Sequence, residues 1–503
     1  MNFSPTGQTT VRPWSDGGLT GRGYKYPSIL KFGSNFTPMK LIFSNISALF
    51  AALVIVILMN ASCANIISPN GGPRDSLPPR LVFALPKDSS VKITPKEITL
   101  NFNEYVTLFN VNENLIISPT LKNNPIADYK LKVVTLKIKD SLDPNTTYSI
   151  NFGNAIRDVN EGNIIQDFTY VFATGSHLDS FTYKGKVLIA ETGKVDSTLL
   201  VILHQNLADS AITKERPRYY TKINGKGEFV FNNLPSGTFR AYVLPNDFTR
   251  KYDDSTKPFA FASNPVMVSS NTLADTFYVF QEFKRIEKVK KAIGTSIKKE
   301  DKSVKFKTDI ENGAQDLLGD LHITFNKKLH SFDSTQILFC DTNYKAISGY
   351  SLALDTAKTQ LTVRYPWKEL SYFKIVLNKT AVVDTGGNSL AKADTINFRT
   401  KPESDYGSIK IRFNHLSLAK NPVLQFIQSD AIVESYPLNN IEFNRKLFRE
   451  GGYELRILYD TNQNNRWDPG SFGKIKKQPE IVHRIPELFN VKGNWDNELI
   501  INL

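Results

Sequence analysis

The 503-residue chain reads as an all-β protein, with tandem β-sandwich modules in the order A–B–A′–B′. Three observations predict this. Short β-branched or aromatic runs such as EITLNFNEYV, VVTLKI, TYSINF and TYVFATG alternate with Pro, Asn, Asp and Gly, the pattern of sandwich strands and their turns. No stretch carries the apolar period of a long amphipathic helix. The chain also repeats two kinds of unit, and repetition on this scale is weighed before any single motif.

Taken in order, residues 1–38 are rich in Gly, Pro, Ser and Thr without apolar periodicity. They read as a spurious or disordered extension ahead of a start at Met39. Lys40 then precedes twelve uninterrupted apolar residues, Ala48 to Met59, and the small pair Ala61-Ser62 leads into Cys63. A bilayer-spanning helix needs roughly 20 apolar residues, whereas a secretory signal uses about 7–15 before a small-residue cleavage site. Residues 39–62 are therefore expected to be a signal peptide. The residues NASC resemble the lipobox of bacterial lipoproteins, with Asn60 where the family usually has Leu. The resemblance implies cleavage before Cys63 and acylation of its thiol. Stable anchoring takes two or more acyl chains, which a tri-acylated cysteine supplies. Residues 63–79, with SPNGGPRDSLPPR, read as a flexible tether, and Ala64 in place of a retention aspartate points to the outer membrane.

Composition narrows the partners. The net charge is +13, and +9 once residues 1–62 are removed. The excess is spread along the chain apart from the run at 283–302, FKRIEKVKKAIGTSIKKEDK, which reads as a solvated linker. Nucleic acid is not an expected partner of an exported chain; membrane lipid through Cys63, an envelope protein or a glycan is. The second cysteine, Cys340, lies in the apolar run STQILFCDTN and is expected to be buried, so each module must be stable through its core alone.

The repeat is visible by eye. ITLNFNE (98–104) recurs as HITFNKK (322–328), and NAIRDVNEGNIIQDFTYVFATG (154–175) as TAVVDTGGNSLAKADTINFRTK (380–401). In each of the latter an aspartate, Asp158 or Asp384, opens a Gly/Asn-rich turn before a strand ending in Phe-x-Thr. GKGEFVFNNLPSGTFRAYVL (225–244) corresponds to LNNIEFNRKLFREGGYELRIL (438–458). The expected modules are 80–176, 178–283, 284–401 and 406–503. On these motifs the first kind of unit resembles the bacterial Ig-like domain of the SbsA surface-layer type. The second resembles the transthyretin-like, carboxypeptidase-regulatory-like sandwich. The whole resembles Ig-like-domain surface lipoproteins of Gram-negative envelopes, which implies an envelope location and no specific reaction.

The sharpest local motif is YDTNQNNRWDPG (459–470). Asp460, Asn462 and Asn464 alternate, Arg466 would offer its backbone carbonyl, and Asp468 takes the ninth position. Ca²⁺ prefers six to eight oxygens, and this is the oxygen-rich spacing that a calcium loop uses. Ser471 stands where a bidentate glutamate would close such a loop. A polar hairpin held by Asx-turns, with Trp467 packed on the sandwich edge, is the alternative. The aromatic cluster Tyr365, Trp367, Tyr372 and Phe373 is either core or a platform for sugars. Ser141 and Ser210 lie in Asp-Ser-apolar triplets that resemble an envelope O-glycosylation sequon. The six histidines lack metal-ligand spacing, and no Gly-x-Ser-x-Gly elbow or phosphate loop occurs. The expectation is a non-enzymatic, lipid-anchored stalk or adhesion protein of the outer membrane, in which tandem modules make a stiff spacer. A glycan-binding accessory and an envelope assembly or transport partner are the other classes, and a hydrolase that no motif marks is a further one.

Overall fold

The computed structural model describes residues 74–247, 249–283 and 302–503. The extension expected at 1–38, the signal peptide expected at 39–62, Cys63, the expected tether up to residue 73 and most of the basic run lie outside the described residues. Strands dominate what is described; the two α-helices, Val111–Asn114 and Ala211–Lys214, are single turns.

Four hydrophobic clusters mark four sandwiches in chain order. In the first, one sheet runs Leu81–Leu85, Glu97–Phe102, Val133–Lys137, Ile126–Lys130 in spatial order, all neighbours antiparallel. A second sheet runs Ile116–Ser118, Thr147–Asn151, Thr169–Ala173. Alternation decides which face is core: Ile98, Leu100 and Phe102 are buried while Thr99 and Asn101 between them are partly exposed. Tyr148, Ile150, Tyr170 and Phe172 close the core from the second sheet.

The third sandwich repeats this path. Phe306–Thr308, Leu321–Phe325, Gln360–Arg364 and Ser351–Leu354 form one sheet. Ala314–Gln315, Asp394–Thr400, Tyr372–Leu377 and Ile337–Cys340 form the other.

The second and fourth sandwiches share a different plan. Phe181–Ile189 lies between antiparallel Glu228–Leu234 and parallel Asp275–Val279. In the same way Tyr406–Asn414 lies between antiparallel Glu442–Arg449 and parallel Asp496–Asn502. The facing sheets are built around the hairpin-like pairs Leu199–His204 with Gly237–Pro245, and Pro422–Gln428 with Gly451–Tyr459. Each central strand has one place where a side chain would not fit. A Cβ on Gly185 would lie 2.1 Å from the Asp275 carbonyl, and one on Gly407 would lie 2.4 Å from the Lys492 carbonyl.

The sandwiches are joined by specific contacts. Between first and second, the Thr120 amide donates to the Arg218 carbonyl at 2.8 Å and the Arg218 guanidinium pairs with Asp143 at 2.7 Å. Between third and fourth, Arg449 grips Asp316 through two nitrogens (2.9 and 3.1 Å) and Glu434 through a third (2.6 Å). Such a planar fork fixes orientation as well as distance. The fourth sandwich also packs against the second, which a simple end-to-end spacer would not do. The Val482 amide donates to the Ala190 carbonyl at 3.0 Å, and Lys194 pairs with Asp430.

Candidate functional site

The candidate loop occupies the connection between strand Gly451–Tyr459 and strand Ile481–Val491. Asp460 sits at its root, 1% exposed. Its carboxylate accepts the amides of Gln463 (2.7 Å), Asn464 (3.3 Å) and Asn465 (2.6 Å). The Asn462 carbonyl oxygen of the side chain accepts from the Asn464 amide at 3.2 Å, and that of Asn464 from the Arg466 amide at 2.7 Å. The alternating Asx residues thus wind the chain into a tight coil, with Gln463 and Asn465 both at φ 60°.

Asp468 closes the coil. The side-chain amides of Asn462 and Asn464 both donate to its carboxylate, the latter at 3.0 Å. The structure therefore brings Asp460, Asn462, Asn464 and Asp468 together, with Arg466 exposed on the rim. It also adds a residue the sequence reading missed. Glu480 is 3% exposed, accepts the Thr461 amide and hydroxyl on one oxygen (2.7 and 2.6 Å), and accepts the Asp468 amide on the other (3.0 Å). Its position, twelve residues past Asp468, breaks any contiguous loop pattern, so local spacing gave no signal for it.

The donors are those a hard cation selects, but two carboxamides present their NH₂ groups to Asp468. An ion could enter only after both turned. Among the described residues no group of three or more His, Cys, Asp or Glu side chains is placed to hold a metal ion.

The loop is also the contact element of the fourth sandwich. Trp467 donates its indole N–H to the Glu480 carbonyl at 2.8 Å and packs against both the fourth sandwich and the outer aromatic face of the second. Beyond it, Phe472 lies on that face, its ring centroid 5.0 Å from Phe259 and 5.1 Å from Phe261. The Phe472 amide donates to Glu282 at 2.7 Å, Gln478 donates to the Phe261 carbonyl at 3.0 Å, and Lys476 pairs with Asp209.

Other sequence candidates fall elsewhere. Tyr365, Trp367 and Phe373 pack into the third core, Trp367 donating to the Gly319 carbonyl at 2.9 Å. Tyr372 alone of that cluster is exposed, so there is no row of rings for sugars there. Cys340 is buried and unpaired, and burial pushes its thiol up. Ser141 and Ser210 are exposed. Asp158 and Asp384 are buried turn anchors rather than chemistry. Asp158 accepts the amides of Glu161, Gly162 and Asn163, and these outweigh burial to lower its pKa. Asp384 is held down to about 2 by the Asn388 side chain and amide, with Lys327 adding to them. Glu104 is half-buried; burial and then Asp158, Asp75 and Glu161 push its pKa up.

The family match agrees with the fold of the first sandwich. Residues 75–174 match the family described as bacterial Ig-like domain. No curated protein matches the chain. Three of the solved structures that resemble it are the following. Native alpha-2-macroglobulin from Escherichia coli, spanning domains MG0-NIE-MG1, is 13% identical over 39% of this chain and 79% of that one, with a TM-score of 0.19. BcpA, the major pilin subunit of Bacillus cereus, is 9% identical over 64% and 99%, at 0.16. The Bacillus anthracis TIE protein is 11% identical over 91% and 79%, at 0.15.

Proposed function

We propose that this chain is a non-enzymatic cell-envelope protein, anchored by an acylated Cys63, whose joined sandwiches present surfaces to a protein or glycan partner. The observation that carries the reading is how the sandwiches are connected. Backbone hydrogen bonds, an arginine fork and an aromatic face hold them in one arrangement, which is a device for display and load. The bacterial Ig-like match over residues 75–174 supports the envelope setting. The module plan supports the further likeness of the second and fourth sandwiches to transthyretin-like domains. The same reading takes the loop of Asp460, Asn462, Asn464, Arg466 and Asp468 as a Ca²⁺ site that stiffens the contact element. Its donor chemistry supports that assignment.

Two experiments test the reading. A fatty-acid analogue fed to cells should label the wild-type protein and spare Cys63→Ala. Crosslinking in intact cells should then capture an envelope partner. An unlabelled wild-type protein recovered entirely in the soluble fraction would remove the anchor from the proposal.

A further inference from the structure

We propose that the cleft between the first and second sandwiches is a binding site for a neutral oligosaccharide. The proposal rests on the reading of this chain as a non-enzymatic interaction protein and names one of its surfaces.

The cleft has a volume of about 860 Å³, within the range of ligand sites, and lies at a domain junction where such sites concentrate. Its floor is the outward face of the sheet Ile116–Ser118, Thr147–Asn151, Thr169–Ala173. The register sets two cross-strand rows there: Ser118, Ser149, Val171 and Ile116, Asn151, Thr169. The alternate residues, Tyr148, Ile150, Tyr170 and Phe172, point the other way into the core. The opposite wall comes from strands Tyr219–Lys222 and Glu228–Leu234 of the second sandwich. The Thr120–Arg218 hydrogen bond and the Arg218–Asp143 pair join the two sandwiches outside the cleft, so the site is formed in advance.

The lining chemistry selects the ligand class. Hydroxyls and carboxamides dominate the floor, and Val171 on the floor and Val230 on the wall add apolar ground for the C–H face of a pyranose. Charge is sparse: Lys222, which reaches Asn114 at 3.4 Å, is set against Asp167 and Glu228. An anionic polymer would meet two carboxylates and one amine, and a lipid chain would have to desolvate a polar floor. An extended peptide adding to the sheet would need the free edge of Ile116–Ser118, and just past it the Thr120 amide already bonds the second sandwich. A chain of uncharged sugars satisfies the floor without these costs.

The test is calorimetric titration of the full chain with cellohexaose, xylohexaose, mannohexaose and chitohexaose, and with a neutral Ser/Thr-rich decapeptide. At least one hexasaccharide should bind saturably. Ser149→Trp on the floor and Val230→Trp on the wall, each with an unchanged melting midpoint, should weaken it at least about tenfold. No binding by any of the four sugars, or binding untouched by both variants, or binding of the decapeptide alone, would overturn the proposal. Appearance of new reducing ends during titration would instead overturn the non-enzymatic reading and leave the cleft assignment standing.

Discussion

At the residue scale, His204 shows how a buried group sets pH behaviour. It is 2% exposed, its Nε2 has no hydrogen-bond partner among the described residues, and its ring meets Tyr242 edge-on at 6.0 Å. Burial lowers its pKa from 6.5 to about 4, against an opposing pull from Glu215. The unfolded chain then binds a proton between pH 6.5 and 4 that the folded chain refuses, so stability falls as pH drops through that window. The loss should be on the order of 2 to 3 kcal/mol. His204→Phe keeps the ring contact and should flatten that part of the pH–stability curve, read by urea unfolding at pH 7 and pH 4.5. An unchanged slope would show that His204 is not the group responsible. Asp384 acts lower. Its depressed pKa gives stability that is present above the ordinary carboxylate value and is lost as pH falls toward about 2. The Asp460 loop makes the third residue-scale prediction. Calcium should raise the melting midpoint of the purified chain and chelator should lower it, with Asp460→Asn insensitive to both; identical midpoints in all conditions would dispose of the ion.

At the scale of elements, most of the strand plan was legible because burial in a sandwich imposes a period of two. ITLNFNE and HITFNKK announce their inner faces by that alternation, and both lie in the strands expected. The Asp158 and Asp384 turns were legible too, since a carboxylate three to five residues before Gly or Asn is a local device that needs no tertiary information. What failed was whatever depended on distance along the chain. Glu480 closes the Asp460 loop from outside its motif. The cluster Tyr365, Trp367 and Phe373 does lie in the core, the first of its two readings, although its composition also fits a sugar platform and only packing separates the two. Glu104 reads as a strand-end acid until Asp158 and Glu161 are brought beside it. Residues 39–63 lie outside the described structure, so their reading rests on sequence alone.

At the scale of the whole folded unit, the contact between second and fourth sandwiches separates a spacer of units in series from a braced assembly. The brace is small and aromatic: Phe472 sits on Phe259, Phe261 and Tyr242, with its amide on Glu282. Burying a phenylalanine contributes about 1.5–3 kcal/mol, and each aromatic pair about 0.5–1.5 more. A lysine at this position would lose the ring contacts and bring a charge onto the aromatic face. Phe472→Lys should therefore release the fourth sandwich from the second while leaving each core intact, because the ring belongs to no β-sandwich core of its own module. Small-angle scattering should show a larger radius of gyration for the variant. The arginine fork supplies the control. Arg449→Met loosens third against fourth, where Asp316 and Glu434 would each lose a partner, and leaves the brace in place. If Phe472→Lys leaves the scattering as in the wild type, the aromatic contact is not what holds the second and fourth sandwiches together.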